Sequence, residues 1–96
     1  MKDMAGKVAI VTGGANGMGQ IIARRLAAKG ARVAIFDVNE EALKATAAEA
    51  ENITAFRCDI SSLDEVDAKV AEVIASLGPI DLLVHAAALM PSHKLI

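Results

Sequence analysis

The residues best suited to chemistry are Thr12-Gly13-Gly14-Ala15-Asn16-Gly17-Met18-Gly19. They follow the apolar run Val8-Ala9-Ile10-Val11 and lead into a helical pattern, Ile21-Ile22-Ala23 to Leu26-Ala27. A buried strand, a glycine-rich turn and a helix N-terminus make a cradle for phosphate, because the first amides of a helix lack intrahelical acceptors and glycine lets an anion come close. Asp37 closes the next apolar run, near the point about 20 residues on where an acidic side chain can hold the ribose hydroxyls of a dinucleotide. Its charge repels a 2′-phosphate, and neither Asn16 nor Val38 supplies a basic side chain to welcome one. The pattern predicts a nicotinamide cofactor, NAD rather than NADP. The spacing Gly13-x-x-x-Gly17-x-Gly19 is not the common G-x-G-x-x-G, and a plain strand-to-helix turn can carry three glycines. Asp37 can equally serve as a solvated acid or as a cap for the next helix.

Other reactive side chains are weaker candidates. Ser92, His93 and Lys94 are neighbours in the C-terminal tail, and a triad needs side chains brought together from separate elements. Asp81 begins the fourth strand, at the end away from the expected cofactor. No catalytic residue and no metal ligand set is expected.

Strand and helix patterns alternate along the whole chain. Strands are expected over 7–12, 32–37, 54–58 and 81–85. Their apolar runs are continuous, which suits parallel strands covered on both faces. A first helix spans about 16–29 and stops at Gly30. A second starts after Asn39, an N-cap followed by Glu40 and Glu41, and runs to about Ala50. Ser62-x-x-Glu65 is a capping box that opens a third. That helix presents Val66, Val70, Val73, Ile74 and Leu77 as a buried stripe and ends at Gly78-Pro79. Right-handed crossovers then give an α/β fold: a Rossmann-like half with a four-stranded parallel sheet in the order 3-2-1-4 and three crossover helices. The first two helices lie on one face and the third on the other. The glycine turn falls at the carboxyl end of strand one, where the order reverses.

Ninety-six residues make one small domain. Hydrophobic residues form 54% of it, with two Phe and neither Trp nor Tyr, so the core must be aliphatic. A net charge of −2 argues against nucleic acid or an anionic membrane as a main partner, since both need a concentrated basic face. The single cysteine, Cys58, points to a reducing compartment. The N-terminal apolar run is too short for a signal peptide or a membrane span. A cytoplasmic protein is expected.

At these residues the chain resembles the short-chain dehydrogenase/reductase family. Thr12 to Gly19 is similar to the family's Thr-Gly-x-x-x-Gly-x-Gly, Asp37 to the acidic residue of its NAD-preferring members, and Asp59-Ile60 to its Asp-Val or Asp-Ile after strand three. The resemblance implies cofactor contacts from Gly13, Asn16, Gly17, Met18, Gly19, Asp37, Val38, Asp59, Ile60, Ala86 and Ala87, with Asp59 and Ile60 at the adenine. It covers residues up to about Leu89, so residues 1–89 are expected to form an NAD-binding domain and 90–96 a short tail. Where the family usually reads Asn-Asn-Ala-Gly, this chain reads His85-Ala86-Ala87-Ala88. His85 can replace the lost amide across the sheet, can be a satisfied core histidine, or can leave the sheet weaker; the core role is the expectation.

The family's catalytic Ser and Tyr-x-x-x-Lys are not found, and the chain has no tyrosine at all. Three functions follow from the resemblance. One is an NAD-dependent oxidoreductase with at most slow hydride transfer to a small carbonyl or quinone, its site rebuilt by oligomerisation. Another is an NAD-binding module without turnover. The last is an inactive fragment of an ordinary alcohol or carbonyl dehydrogenase. Leu82-Leu83-Val84 would form an open apolar edge, so a homo-oligomer paired there is expected.

Overall fold

The computed structural model describes residues 4–15 and 17–86. The expected tail, 90–96, with Ser92, His93 and Lys94, lies outside the described residues. Four strands and three helices alternate: β1 Val8–Thr12, α1 Gly17–Ala28, β2 Arg32–Asp37, α2 Glu40–Ala47, β3 Ile53–Arg57, α3 Leu63–Leu77 and β4 Leu82–His85. They form one parallel sheet in the order β3-β2-β1-β4, the expected half-Rossmann arrangement. Thr12 stands opposite Phe36 on β2 and opposite His85 on β4. The carboxyl ends of the three strands therefore lie level with the glycine turn.

Strand alternation divides the core in two. Val11, Val33, Ile35 and Ile53 point to one face and pack with Ala23 and Ala27 of α1 and Leu43 of α2. Val8, Ile10, Ala34 and Phe36 point to the other and pack with Val73 of α3. Both faces of β1 and β2 are covered, which is why their sequences read as unbroken apolar runs. Small alanines on α1 and α2 let those helices sit close to the sheet. The two phenylalanines, Phe36 and Phe56, meet edge to face with centroids 5.8 Å apart.

Three expectations need correction. α2 ends at Ala47 rather than near Ala50, because the Glu49 amide bonds to Thr46 in a tighter final turn and the chain must drop back to β3. Ile74 is 49% exposed: it stands one residue, and so about 100° of helical rotation, beyond fully buried Val73. Val66, Val70 and Leu77 do flank that core. The capping box at α3 is only half formed. Ser62 Oγ accepts from the Glu65 amide at 3.3 Å, but Glu65 Oε1 turns to the Asp59 amide at 2.9 Å. The Ser62 amide is already bound to the Asp59 carbonyl, at 2.9 Å, so the usual return bond has no donor.

The helix ends are finished as local chemistry requires. Gly30, at φ 96°, lets the chain leave α1. Asn52 arrives from before β3 and donates to the carbonyls of Ala27 and Ala31, at 2.9 and 2.7 Å. At the amino end of the sheet, Asp81 accepts from the Val8 amide at 2.9 Å while its own amide donates to the Val8 carbonyl at 2.8 Å. Asp81 thus fastens β4 to β1 at the edge away from the glycine turn, as expected. Among the described residues, no helix is long and apolar enough to cross a membrane.

Candidate functional site

The glycine turn is anchored to its neighbours at almost every peptide. The Gly13 and Gly14 amides donate to the Phe36 carbonyl at 2.8 and 3.3 Å, which ties the turn to the end of β2. The Ala15 amide donates to Asp37 Oδ2 at 3.2 Å, and the Ala15 carbonyl accepts from Thr46 Oγ1 at 3.2 Å. α1 then starts at Gly17, with no acidic residue in its first turn, whereas α2 and α3 carry Glu40–Glu41 and Asp64–Glu65 there beside the caps Asn39 and Ser62. The positive end of α1 is therefore not neutralised by its own first turn.

Two glycines show what the turn is built for. A Cβ on Gly19 would overlap the Gly13 carbonyl oxygen, so only glycine lets α1 begin against the turn. Gly17 has φ +59° and nothing within 4 Å of where a Cβ would stand. That is open space, directly over the first amides of α1, where a phosphate can approach. Met18, half exposed, flanks it.

Asp37 is more heavily engaged than its sequence position suggests. Oδ2 takes the Ala15 amide, and Oδ1 takes the amides of Val38 and Asn39 at 2.8 and 3.3 Å. A carboxylate offers about four lone-pair sites, so one remains for a sugar hydroxyl, and the two bonds longer than 3 Å can be exchanged for more. Capping of α2 falls to Asn39, whose Oδ1 accepts from the Ala42 amide at 3.0 Å. Asp37 instead joins the turn to β2 and faces the ligand side.

Beside it lies a cleft of about 230 Å³ lined by Gly13, Phe36, Asp37, Val38, Cys58, Asp59 and Ile60. Val38 and Ile60 are exposed apolar lips of this cleft. Asp59 Oδ1 accepts from the Ser61 hydroxyl at 2.7 Å and the Ser61 amide at 3.0 Å. These bonds hold its carboxyl below the usual aspartate range. Cys58 forms the floor, and burial pushes its thiol up.

The structure thus brings Gly13, Gly17, Met18, Gly19, Asp37, Val38, Asp59 and Ile60 to one edge of the sheet. Asn16 and Ala87 lie outside the described residues. Ala86 is 2% exposed and packs in the core beneath α1 and α2, away from the residues that line this cleft. His85 is exposed, which corrects the expectation of a core histidine. Its Nδ1 lies 2.7 Å from Thr12 Oγ1, so it bridges β1 and β4 where an amide was expected. Among the described residues no cluster of His, Cys, Asp and Glu is arranged to hold a metal.

Sequence reading missed two participants. Arg57 stands opposite Asp37 on β3; its guanidinium lies 3.7 Å from Glu40 and 3.9 Å from Glu65. The register could have been counted from the strand pattern. Thr46, buried in α2, reaches the turn from 31 residues away, and no local signal marks it.

A dinucleotide fits this edge. The open space over Gly17 and the uncompensated start of α1 suit a pyrophosphate. The lone pairs of Asp37 suit a ribose, and the apolar lips suit a base.

Comparison with known proteins agrees. A family model described as short chain dehydrogenase matches residues 7–95. The 2,5-dichloro-2,5-cyclohexadiene-1,4-diol dehydrogenase of Sphingobium indicum is 44% identical over 82 residues, covering 84% of this chain and 33% of its own length. The 2-dehydro-3-deoxy-L-rhamnonate dehydrogenase (NAD(+)) of a Sphingomonas species is 42% identical over 80 residues, covering 83% and 32%. A solved structure assigned to a short-chain dehydrogenase of Novosphingobium aromaticivorans superposes with a TM-score of 0.76 at 36% identity, covering 86% of this chain and 32% of that one. The chain spans about a third of the length of these relatives. With its sheet order, its glycine turn and its sequence all in agreement, the chain belongs to the short-chain dehydrogenase family.

Proposed function

We propose that the chain binds NAD(H), with the pyrophosphate over Gly17–Gly19, the adenosine ribose on Asp37, and adenine between Val38 and Ile60 beside Asp59. The observation that carries this is the Asp37 carboxylate, held by backbone amides at the mouth of the cleft. A 2′-phosphate there would meet a fixed negative charge. Arg57, the basic side chain nearest in register, already faces Glu40 and Glu65, so it offers such a phosphate little net charge. The Sphingomonas relative, whose name specifies NAD(+), supports the same choice. A reducing, cytoplasmic setting fits the lone, buried Cys58.

When bound, the nicotinamide supplies a hydride. These residues bind and orient it; the 96 residues hold no tyrosine to move a proton at the substrate oxygen. Loss of a general acid costs roughly 10²–10⁴-fold in rate. We therefore expect slow hydride transfer at most, to a carbonyl or quinone that tolerates it, from these residues alone. A binding module without turnover is the second reading, since what these residues line is a cleft suited to a cofactor. Parallel fluorescence titrations with NADH and NADPH test cofactor choice: saturable NADH binding at least ~10-fold tighter than NADPH is expected, and equal affinities would overturn it. NADH oxidation over a panel of carbonyls and quinones separates the two readings.

A further inference from the structure

Thr46 is fully buried, and among the described residues Thr12 is the other buried polar side chain. A threonine inside a helix commonly satisfies its hydroxyl on the carbonyl a turn before it. Here the hydroxyl leaves the helix. It donates to the Ala15 carbonyl at 3.2 Å and accepts from Gln20 Nε2, also at 3.2 Å. One side chain of α2 thereby joins the glycine turn to Gln20, the fourth residue of α1. Ala15 is gripped on both sides, its amide by Asp37 and its carbonyl by Thr46. Neither bond is made within the turn itself. A turn rich in glycine has the most backbone freedom to lose, so its shape in the free protein depends on such outside bonds.

We propose that Thr46 is a positioning residue for phosphate: its hydroxyl fixes the conformation of the Ala15 peptide, and so presents the amides of the turn and of α1 ready-made to the pyrophosphate. The inference rests on the dinucleotide reading above. Its physical basis is preorganisation: a cradle already in its bound shape does not have to be ordered at the expense of binding energy. Thr46 itself touches no ligand, since it lies beneath the turn. Removing the hydroxyl leaves the Ala15 carbonyl without this partner in a buried site, and the turn is freed to relax. The adenine cleft, built from Val38, Cys58, Asp59 and Ile60, does not depend on this bond.

The test compares Thr46→Val, Thr46→Ala and Thr46→Ser for binding of ADP-ribose and of adenine, which lacks the ribose that Asp37 would hold, by calorimetry and ligand-observed NMR, with circular dichroism confirming the fold. Alanine, the best helix former, guards against failure of the valine variant. Expected is a loss of about tenfold in ADP-ribose affinity for both hydroxyl-free variants, unchanged adenine affinity, and a serine variant within about twofold of the parent. Unchanged ADP-ribose binding without the hydroxyl would overturn the proposal. So would an equal loss for both ligands, which would mark a merely structural residue. Failure of the parent protein to bind ADP-ribose at all would instead overturn the dinucleotide reading, and this inference with it.

Discussion

On the proposed reading Asp37 carries two duties, and substituting it should show both. Three backbone amides converge on its carboxylate. Asp37→Ala is expected to weaken NADH binding at least ~10-fold, the scale of a lost charge-assisted hydrogen bond. It should also cost about 1–2 kcal/mol of stability, because the Ala15 amide loses its acceptor. Fluorescence titration and urea unfolding on the same variant check the pair of effects; a change in affinity with no change in stability would mean the bond to Ala15 is dispensable. Asp59 makes a pH prediction. Its folded pKa is depressed by Ser61, so its contribution is present above the ordinary aspartate value and is lost as pH falls through the depressed one. Ser61→Ala should raise the Asp59 pKa in a carboxyl NMR titration, and an unmoved midpoint would show that another group holds it. The positions of Asp37 and Asp59 beside the cleft were legible in the sequence, the first because it closes an apolar strand run and the second through the family resemblance. The turn bond of Asp37 was not, since it links residues 22 apart through folded geometry. His85 was misjudged for a related reason: an apolar strand context implies burial only where both faces of the strand are covered.

At the scale of elements, β1, the glycine turn and α1 act as one piece. Gly19 and Gly17 divide its work, and alanine substitutions should separate them. Gly19→Ala drives a methyl into the Gly13 carbonyl and is expected to cost at least ~3 kcal/mol, among the larger effects of a point mutation. Gly17→Ala meets open space at φ +59°, so its stability cost should be about 1–2 kcal/mol, while the added methyl stands where phosphate approaches. Its main effect is therefore expected in NADH affinity. Thermal unfolding and titration of both variants check this; equal losses in both measurements for both glycines would show that neither marks the phosphate position. All seven elements could be read from periodicity, because their apolar runs, caps and glycine stops agree with one another. The C-terminal end of α2 escaped because it depends on how far the chain must travel to reach β3, and the exposed flank of α3 because Ile74 stands about 100° of helical rotation beyond Val73. The half-formed capping box escaped because it turns on which amide the Asp59 carbonyl has already claimed.

For the whole molecule, the order β3-β2-β1-β4 was foreseeable from handedness alone, and it puts the crevice where the strand order reverses. What composition could not show is uneven cover. The sheet is sealed over β1 and β2, while Leu83 on β4 is 63% exposed beside an apolar groove lined by Ile10, Leu63, Val66, Val70 and Ile80. An edge strand of this kind pairs readily with another. We expect self-association through β4, seen by size-exclusion chromatography with light scattering and abolished by Leu83→Lys; a monomer at high concentration would contradict it. The central claim is that one end of the sheet holds a dinucleotide. Amide NMR during an NADH titration measures that residue by residue. The account predicts saturable shifts at Gly17, Met18, Gly19, Val38 and Ile60, and none at Leu77 or Asp81 on the opposite edge. Absence of saturable shifts at the glycine turn, or shifts confined to the groove beside α3, would contradict it.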